Sequence, residues 1–263
     1  MDYKECILKK VNRLLAAYRG GLLGGEKMPE HENPGLDRGS KENYLYFTLP
    51  MALNYQRNSY VLWECANRLY RDRPEVFDCG HALRMPETEL RDVLVEYKVA
   101  LQSNKQPVIW RTLCATFEER FGGDVRSFFA AMDHHIDAVK AYISQNKRAF
   151  PYLGGEKICN YWLYVMEQYT DAAFADREHI TVAPDTHVIQ ASERLGVITS
   201  EEAKRSDVQR LTAERWEELL AGTEYVPTHR CGCGAGESFR SGLKIRSSIF
   251  RHSGMHVVCN RHA

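Results

Sequence analysis

The sequence lacks any apolar run approaching the roughly 20 residues that a membrane-spanning helix needs. Its first stretch, MDYKECILKKVNRLL, carries charge throughout and lacks the long apolar block of a secretory signal. These two absences exclude a spanning segment and a secretory leader. We therefore expect a cytoplasmic protein and no membrane partner.

The chain also lacks net charge, because 35 Lys and Arg residues are balanced by 35 Asp and Glu residues. This balance excludes the overall basic character of many nucleic-acid-binding proteins. The average hides an asymmetry, since the stretch from His229 to Ala263 contains six Lys or Arg residues and one acidic residue. Any contact with a polyanion is expected to be local, with the basic tail contacting phosphates.

No long run of the sequence alternates apolar and polar residues with a period of two, so β-strands are not expected. Residues 19–43 are dense in Gly, Pro and charge and are predicted to form a surface loop. An all-α protein is therefore predicted. Apolar residues recur at helical spacing in four stretches, namely 61–69, 90–101, 110–121 and 128–143.

Two stretches interrupt the helical pattern in the second half of the chain. Residues 150–156, FPYLGGE, predict a tight connection between a helix ending near Asn146 and one starting near Lys157. Residues 179–187 are predicted to be extended up to Pro184, after which a helical period begins. This places Asp185 at the N-terminus of a helix.

Three segments, read in chain order, resemble parts of one known family. They are ALNYQRNSY at 52–60, PYLGGEKICN at 151–160 and VAPDTHVIQASERLG at 182–196. They are similar to the Leu-Ser-x-Gln segment, the Gly-rich hairpin and the Val-Asp-Thr-His-Val-x5-Arg-Leu-Gly signature of the endonuclease III branch of the helix-hairpin-helix DNA glycosylases. The third segment is the most specific of the three.

The resemblance implies a fold of two all-helical lobes with a helix-hairpin-helix motif and an active-site cleft between the lobes. It implies a helical barrel lobe at 45–170 that carries the hairpin, and a second lobe formed by 1–44 and 171–263. A monomer is expected. The family's enzymes carry out base excision repair, so the implied partner is double-stranded DNA that contains a modified base.

The implied activity is that of a DNA N-glycosylase with AP-lyase activity. The resemblance assigns Asp185 as the catalytic carboxylate, which stabilises positive charge on the deoxyribose as the base departs. It assigns Lys157 as the nucleophilic amine, which forms a Schiff base with the sugar. A structural alternative exists for each residue, because Asp185 could serve only as an N-cap and Lys157 could be a solvated surface lysine.

The resemblance also implies a set of DNA contacts. Gln56 is expected to fill the gap left by the extruded base, with Tyr55 beside it. The backbone N–H groups of Gly154 and Gly155 are expected to approach a phosphate. Aromatic residues at helical spacing usually pack in a core, but three are candidates to stack on the flipped base, namely Trp63, Tyr161 and Trp162.

The sequence departs from the family in two ways. The 28-residue separation of Lys157 and Asp185 is longer than in the endonuclease III pattern, as it is in the archaeal 8-oxoguanine glycosylases. An oxidised purine is therefore the first substrate hypothesis, and damaged pyrimidines, alkylated bases and modified bases of foreign DNA remain open. The hairpin also differs from the common Leu-Pro-Gly-x-Gly form.

No cofactor is expected. The tail has Cys231, Cys233 and Cys259 but lacks the four cysteines, spaced Cys-x6-Cys-x2-Cys-x5-Cys, that hold an iron–sulfur cluster in endonuclease III relatives. A zinc site built from these three cysteines and a tail histidine is an alternative, although Cys-x-Cys is tighter than the usual zinc spacing.

Three alternatives stay open for the whole chain: a monofunctional glycosylase that activates water, a non-catalytic helix-hairpin-helix DNA-binding protein, and a helical metalloprotein built on the tail.

Overall fold

The computed structural model describes residues 2–22, 28–180, 184 and 186–220. Within these residues every regular element is a helix, which confirms the all-α prediction. None of the described helices combines the length and the apolar character needed to cross a membrane. The α-helices in chain order are α1 Tyr3–Arg19, α2 Lys41–Thr48, α3 Ser59–Asp72, α4 Cys79–Arg84, α5 Glu87–Glu96, α6 Gln106–Phe121, α7 Val125–Ala131, α8 Ile136–Gln145, α9 Glu156–Tyr169, α10 Thr186–Leu195 and α11 Val208–Leu220. Five short 3₁₀ helices join them at Pro29–His31, Pro50–Leu53, Pro74–Phe77, Arg177–His179 and Glu202–Lys204.

The described residues fall into two compact units with separate cores. The larger unit is formed by residues 28–180 and contains α2 to α9. The smaller unit is formed by residues 2–22, 184 and 186–220 and contains α1, α10 and α11.

The boundary of the larger unit differs from the predicted barrel lobe at 45–170. Residues 28–44 and 171–180, which were assigned to the second lobe, belong to the larger unit. The reason is long-range hydrogen bonding. The Arg38 guanidinium donates to the carbonyl of Thr170, and Asn43 Nδ2 donates to the carbonyl of Tyr169 at 2.9 Å.

The core of the larger unit is rich in aromatic side chains. Phe128 stacks on Trp162 with centroids 6.4 Å apart, and the edge of Phe77 faces Trp110 at 5.2 Å. Such pairs add to the stabilisation that burial of their apolar area already provides. Cys65, Cys79, Cys114 and Cys159 are also buried there as free thiols.

The sequence Phe121-Gly-Gly-Asp124 predicts that one helix stops and that an N-cap follows, and the structure confirms both. Gly122 ends α6 with a φ of +62°, a conformation that costs glycine little. Asp124 then caps α7, because its side chain accepts a hydrogen bond from the backbone N–H of Arg126 at 2.8 Å. The local signal was sufficient because both parts of this boundary lie within four residues of each other.

The continuous helical period predicted over 128–143 is wrong. Two residues with left-handed backbone, Asp133 at a φ of +49° and His134 at +55°, separate α7 from α8. Asp176 caps α8, accepting from the backbone N–H of Ile136 at 2.6 Å and from that of Asp137 at 3.1 Å. Since the capping residue lies 40 positions away, the local pattern could not reveal this break.

The predicted surface loop at 19–43 is partly buried. The 3₁₀ turn Pro29–His31 packs against α3 and leaves Glu30 without exposed surface. Tyr161 donates a hydrogen bond to Glu30 Oε1 at 2.5 Å, which provides a partner for this buried carboxylate.

The smaller unit places the signature segment on a packed helix. Helix α10 begins at Thr186, so a helix starts directly after Asp185, as predicted. Its buried residues include Val188 and Ser192, whose hydroxyl accepts a hydrogen bond from Trp216 Nε1 at 2.8 Å. Asp185 itself lies outside the described residues.

Candidate nucleic-acid interface

Three loops of the larger unit meet at one surface: residues 52–58, 98–105 and 146–155. Tyr55 stacks on Tyr152, with ring centroids 4.3 Å apart and planes inclined by 17°. The Tyr55 hydroxyl also donates a hydrogen bond to Gln102 Oε1 at 2.9 Å. This surface, which we call the basic loop face, therefore joins two of the three segments that carry the family resemblance.

Lys105 lies over both stacked rings. Its Nζ is 4.7 Å from the ring centroid of Tyr152 and 5.7 Å from that of Tyr55. A hydrogen bond with Lys105 lowers the pKa of Tyr152 below its usual range, and the same contact raises the pKa of Lys105. The lysine therefore stays protonated while it holds the two rings together.

Arg57 fixes the second loop against the first. Its guanidinium donates to the carbonyl of Val99 at 2.6 Å and to the carbonyl of Lys98 at 2.8 Å. Burial lowers the pKa of Arg57 from the ordinary arginine value. Because both loop carbonyls are held by the same guanidinium, the basic loop face has a defined shape at this point.

Three residues of the basic loop face have left-handed backbone although none is glycine. Their φ values are +50° for Gln56, +58° for Lys98 and +61° for Tyr152. Such a conformation costs about 1–3 kcal/mol per residue and is concentrated at functional sites. Gln56 and Lys98 are exposed in their loops, whereas Tyr152 is partly buried.

The charge of this face differs sharply from that of the whole chain. The three loops contain five Lys or Arg residues and no acidic residue, within a chain whose charges balance. Four of the five cations are exposed, whereas Arg57 is partly buried. A concentration of cations of this kind favours a polyanionic partner. The exposed cations are Lys98, Lys105, Lys147 and Arg148.

Leu101 is a feature of this face that the sequence analysis missed. The helical period from Leu90 was expected to reach Leu101, but α5 ends at Glu96. Leu101 instead lies in the turn before α6 with 60% of its surface exposed. The apolar period of the sequence assigns Leu101 to the core. Only the structure shows that its side chain is exposed.

The predicted connection between two helices around Gly154-Gly155 is confirmed, since α8 ends at Gln145 and α9 begins at Glu156. The backbone N–H groups of both glycines are already engaged. Gly154 donates to the carbonyl of Phe150 and Gly155 to that of Tyr152, each at 3.1 Å. Both N–H groups therefore have backbone acceptors in this conformation, and their contact with a phosphate stays a prediction.

Gly154 also has a packing role. A Cβ atom at this position would lie 3.0 Å from Ile143 Cγ2 and 3.4 Å from the carbonyl oxygen of Phe150. We expect Gly154→Ala to lower the free energy of unfolding by about 1–3 kcal/mol through overpacking. Urea unfolding followed by circular dichroism measures this loss.

Gly155→Ala serves as the comparison, because Gly155 is exposed with an ordinary φ of −72°. Its added Cβ would lie 3.3 Å from the carbonyl oxygen of Tyr152. We expect a smaller loss of stability and unchanged affinity for duplex DNA. A large loss of affinity in folded Gly155→Ala would support the phosphate role of this glycine.

Lys157 is exposed in the first turn of α9, as predicted. The N-cap of this helix is Gly155, which has no side chain to accept from the first backbone N–H groups of the helix. The positive end of the α9 dipole therefore lies next to the basic loop face. Lys157 belongs to the larger unit, whereas Asp185 lies outside the described residues, as do Cys231, Cys233 and Cys259 of the candidate zinc site.

The three aromatic residues predicted for the base pocket are placed in the core instead. Trp63 and Trp162 have no exposed surface, and Tyr161 is 9% exposed. Trp162 Nε1 donates a hydrogen bond to Thr48 Oγ1 at 3.0 Å, and the Tyr161 hydroxyl is taken by Glu30. Because core side chains already cover these rings, none of the three offers a face to a base in this conformation.

No protein-family model matches the chain, and no curated protein shows significant similarity to it. The support for a function therefore comes from the geometry of the basic loop face and from the three sequence segments.

Proposed function

We propose that the protein is a DNA glycosylase with AP-lyase activity that excises a modified base from double-stranded DNA. The observation that carries this proposal is the stack of Tyr55 on Tyr152. It brings the segment that contains Gln56 against the Gly-Gly connection that precedes Lys157. The two segments are 97 residues apart at the stacked rings, and the resemblance requires both at the DNA.

The basic loop face would hold the duplex through its phosphates. Lys98, Lys105, Lys147 and Arg148 supply the charge, and the positive end of the α9 dipole, at a glycine N-cap, adds to it. These contacts position the protein without reading base sequence. They suit an enzyme that must examine DNA of any sequence for a lesion.

Gln56 and Leu101 would act on the distorted duplex itself. Leu101 is an exposed apolar side chain among polar loops, and apolar wedges inserted between base steps open a duplex by unstacking it. Gln56 has hydrogen-bonding groups for the base left without a partner. Together they would stabilise DNA from which one nucleotide has been extruded.

The proposed chemistry uses Lys157 and Asp185. The lone pair of the neutral lysine amine attacks C1′ as the bond from C1′ to the base breaks, and the base leaves with that electron pair and takes up a proton. The Asp185 carboxylate stabilises the positive charge that develops on the sugar. Opening of the sugar ring gives an imine, from which elimination of the 3′-phosphate cleaves the strand.

An oxidised purine is the proposed substrate class, supported by the long link between Lys157 and Asp185. The deciding experiment incubates purified protein with duplexes that each carry one lesion and separates the released bases by chromatography. Release of an oxidised purine alone supports the substrate class. Release of a different base would assign a different substrate class. Release of no base from any duplex would contradict the enzymatic proposal.

The second candidate is a non-catalytic DNA-binding protein. The basic loop face favours it equally, because charge, strain and the exposed leucine explain binding without catalysis. The lesion panel separates the two candidates, since a binding protein retains affinity for lesion duplexes but releases no base.

DNA binding through the basic loop face gives a prediction for charge variants. We expect Lys98→Gln combined with Lys147→Gln to weaken binding equally for different DNA sequences, because both lysines are exposed and would contact phosphates. The slope of log Kobs against log salt should fall by about 0.9 for each phosphate contact removed. Fluorescence anisotropy at a series of salt concentrations measures this slope.

Arg91→Gln is the matched control, because Arg91 pairs with Asp92 at 3.0 Å outside the basic loop face. It removes one positive charge and should leave the salt slope unchanged. A decrease in the control half as large as that in the double variant, in proportion to the charge removed, would mean that net charge, and not this face, determines binding.

A further inference from the structure

A cluster of metal-ligating side chains lies at the start of α8, outside the basic loop face. The segment that contains Asp176 and His179 returns to this helix, and Asp176 caps it. One donor atom from each of Asp137, Asp176 and His179 lies within 4.8 Å of the other two. His135 offers a further nitrogen nearby, because its Nδ1 faces the carboxylate of Asp176.

The distances between these donors approach those of a tetrahedral site. His179 Nδ1 is 3.4 Å from Asp176 Oδ2, and His135 Nδ1 is 3.7 Å from the same oxygen. A tetrahedral zinc ion with bonds near 2.0–2.2 Å requires donors about 3.3 Å apart. The 2.6 Å between His179 Nδ1 and Asp137 Oδ2 is shorter, but the side chain of Asp137 is 66% exposed and is free to move outward.

A second observation concerns the ring nitrogen of His179. Its Nδ1 is shielded from solvent, although a substantial part of the side chain is exposed. The nitrogen is close to two carboxylate oxygens but makes no hydrogen bond of acceptable geometry within the described residues. The nitrogen lies 2.6 Å from Asp137 Oδ2 and 3.4 Å from Asp176 Oδ2, so a neutral imidazole with its lone pair on Nδ1 is placed to share an ion with both carboxylates.

We propose that Asp137, Asp176 and His179 bind one divalent transition-metal ion, for which Zn²⁺ is the probe, with water or the nearby His135 completing its coordination. Two carboxylates neutralise the ion, and imidazole nitrogens favour zinc and its neighbours over Mg²⁺ or Ca²⁺. The nearby Lys140 donates a hydrogen bond from its Nζ to the backbone carbonyl of His179 at 2.5 Å. This contact does not use any of the three donor atoms of the cluster.

The ion would fasten the segment Asp176–His179 to the first turn of α8. This segment leads along the chain towards Asp185, six residues after His179. Metal binding is therefore a stabilising clamp on the end of the larger unit, and it requires no part in the glycosylase chemistry.

The test uses the full chain in which Cys231, Cys233 and Cys259 are replaced by serine, so that tail thiols cannot bind the metal. The protein is stripped with a chelator and titrated with Co²⁺, followed by displacement with Zn²⁺. We expect one equivalent of Co²⁺ with the visible absorption of a four-coordinate nitrogen and oxygen site, and a higher melting temperature with Zn²⁺. Absence of binding would overturn the proposal.

Two variants identify the ligands. His179→Ala and Asp137→Asn should each abolish stoichiometric binding, whereas His134→Asn should retain it, since Asn tolerates the left-handed backbone at that position. If His179→Ala fails to fold, as judged by circular dichroism, Asp137→Asn decides the outcome because Asp137 is exposed. Unchanged binding in folded Asp137→Asn refutes this ligand set.

Discussion

Asp185→Asn is expected to abolish release of the modified base while affinity for the lesion duplex is retained. The reason is that an amide cannot stabilise the positive charge on the sugar as a carboxylate does. The loss of rate should be on the order of 10²–10³-fold, comparable to the removal of a key electrostatic group from other enzymes. Single-turnover base release and fluorescence anisotropy on the same duplex measure the two quantities.

This substitution separates catalysis from helix capping. Asn caps helices as well as Asp does, so a residue that only capped α10 would tolerate the change. Asp124→Asn is the matched control, because Asp124 caps α7 through the backbone N–H of Arg126. Full activity of Asp185→Asn would assign Asp185 to capping and show that another group supports release of the base.

Lys157→Gln is expected to eliminate the covalent protein–DNA adduct that borohydride traps, together with strand cleavage. Only an amine that attacks the sugar gives an imine, and reduction of that imine makes a permanent cross-link. A glutamine cannot form the imine. Denaturing gel electrophoresis after reduction measures both the cross-link and the nick.

Lys147→Gln is the matched control, since it removes an exposed lysine from the loop that precedes α9. It should weaken DNA binding slightly and leave the cross-link in place when DNA is saturating. Base release that persists in Lys157→Gln without a cross-link would show that the glycosylase uses water and that the lysine has only a lyase role. An undiminished cross-link would identify another amine as the nucleophile.

Local sequence signals predicted the helices well where both ends of an element are encoded close together. The stop at Gly122, the cap at Asp124 and the start of α10 at Thr186 were all predicted, because each depends on residues within one turn. The break between α7 and α8 was missed, since its cap is supplied by the distant Asp176.

The candidate site was only partly predictable. Gln56, Tyr55 and Lys157 were identified from segments that resemble a family, and the structure places all three in the larger unit. Leu101 was missed, because periodicity assigns an apolar residue to a core whether or not the helix extends that far. Trp63, Tyr161 and Trp162 were assigned to a base pocket, but periodicity cannot distinguish a pocket wall from a packed core.

The sequence by itself determined that the described residues are helical, where a few of the helices begin or end, and which segments resemble DNA glycosylases. Tertiary structure alone decided that Tyr55 meets Tyr152, and that the basic residues of three separate loops share one face. The physical reason is the distance along the chain over which each interaction acts. Helix periods and caps act over a few residues, whereas stacking, burial and the sorting of charge onto a surface join residues that are far apart in the chain.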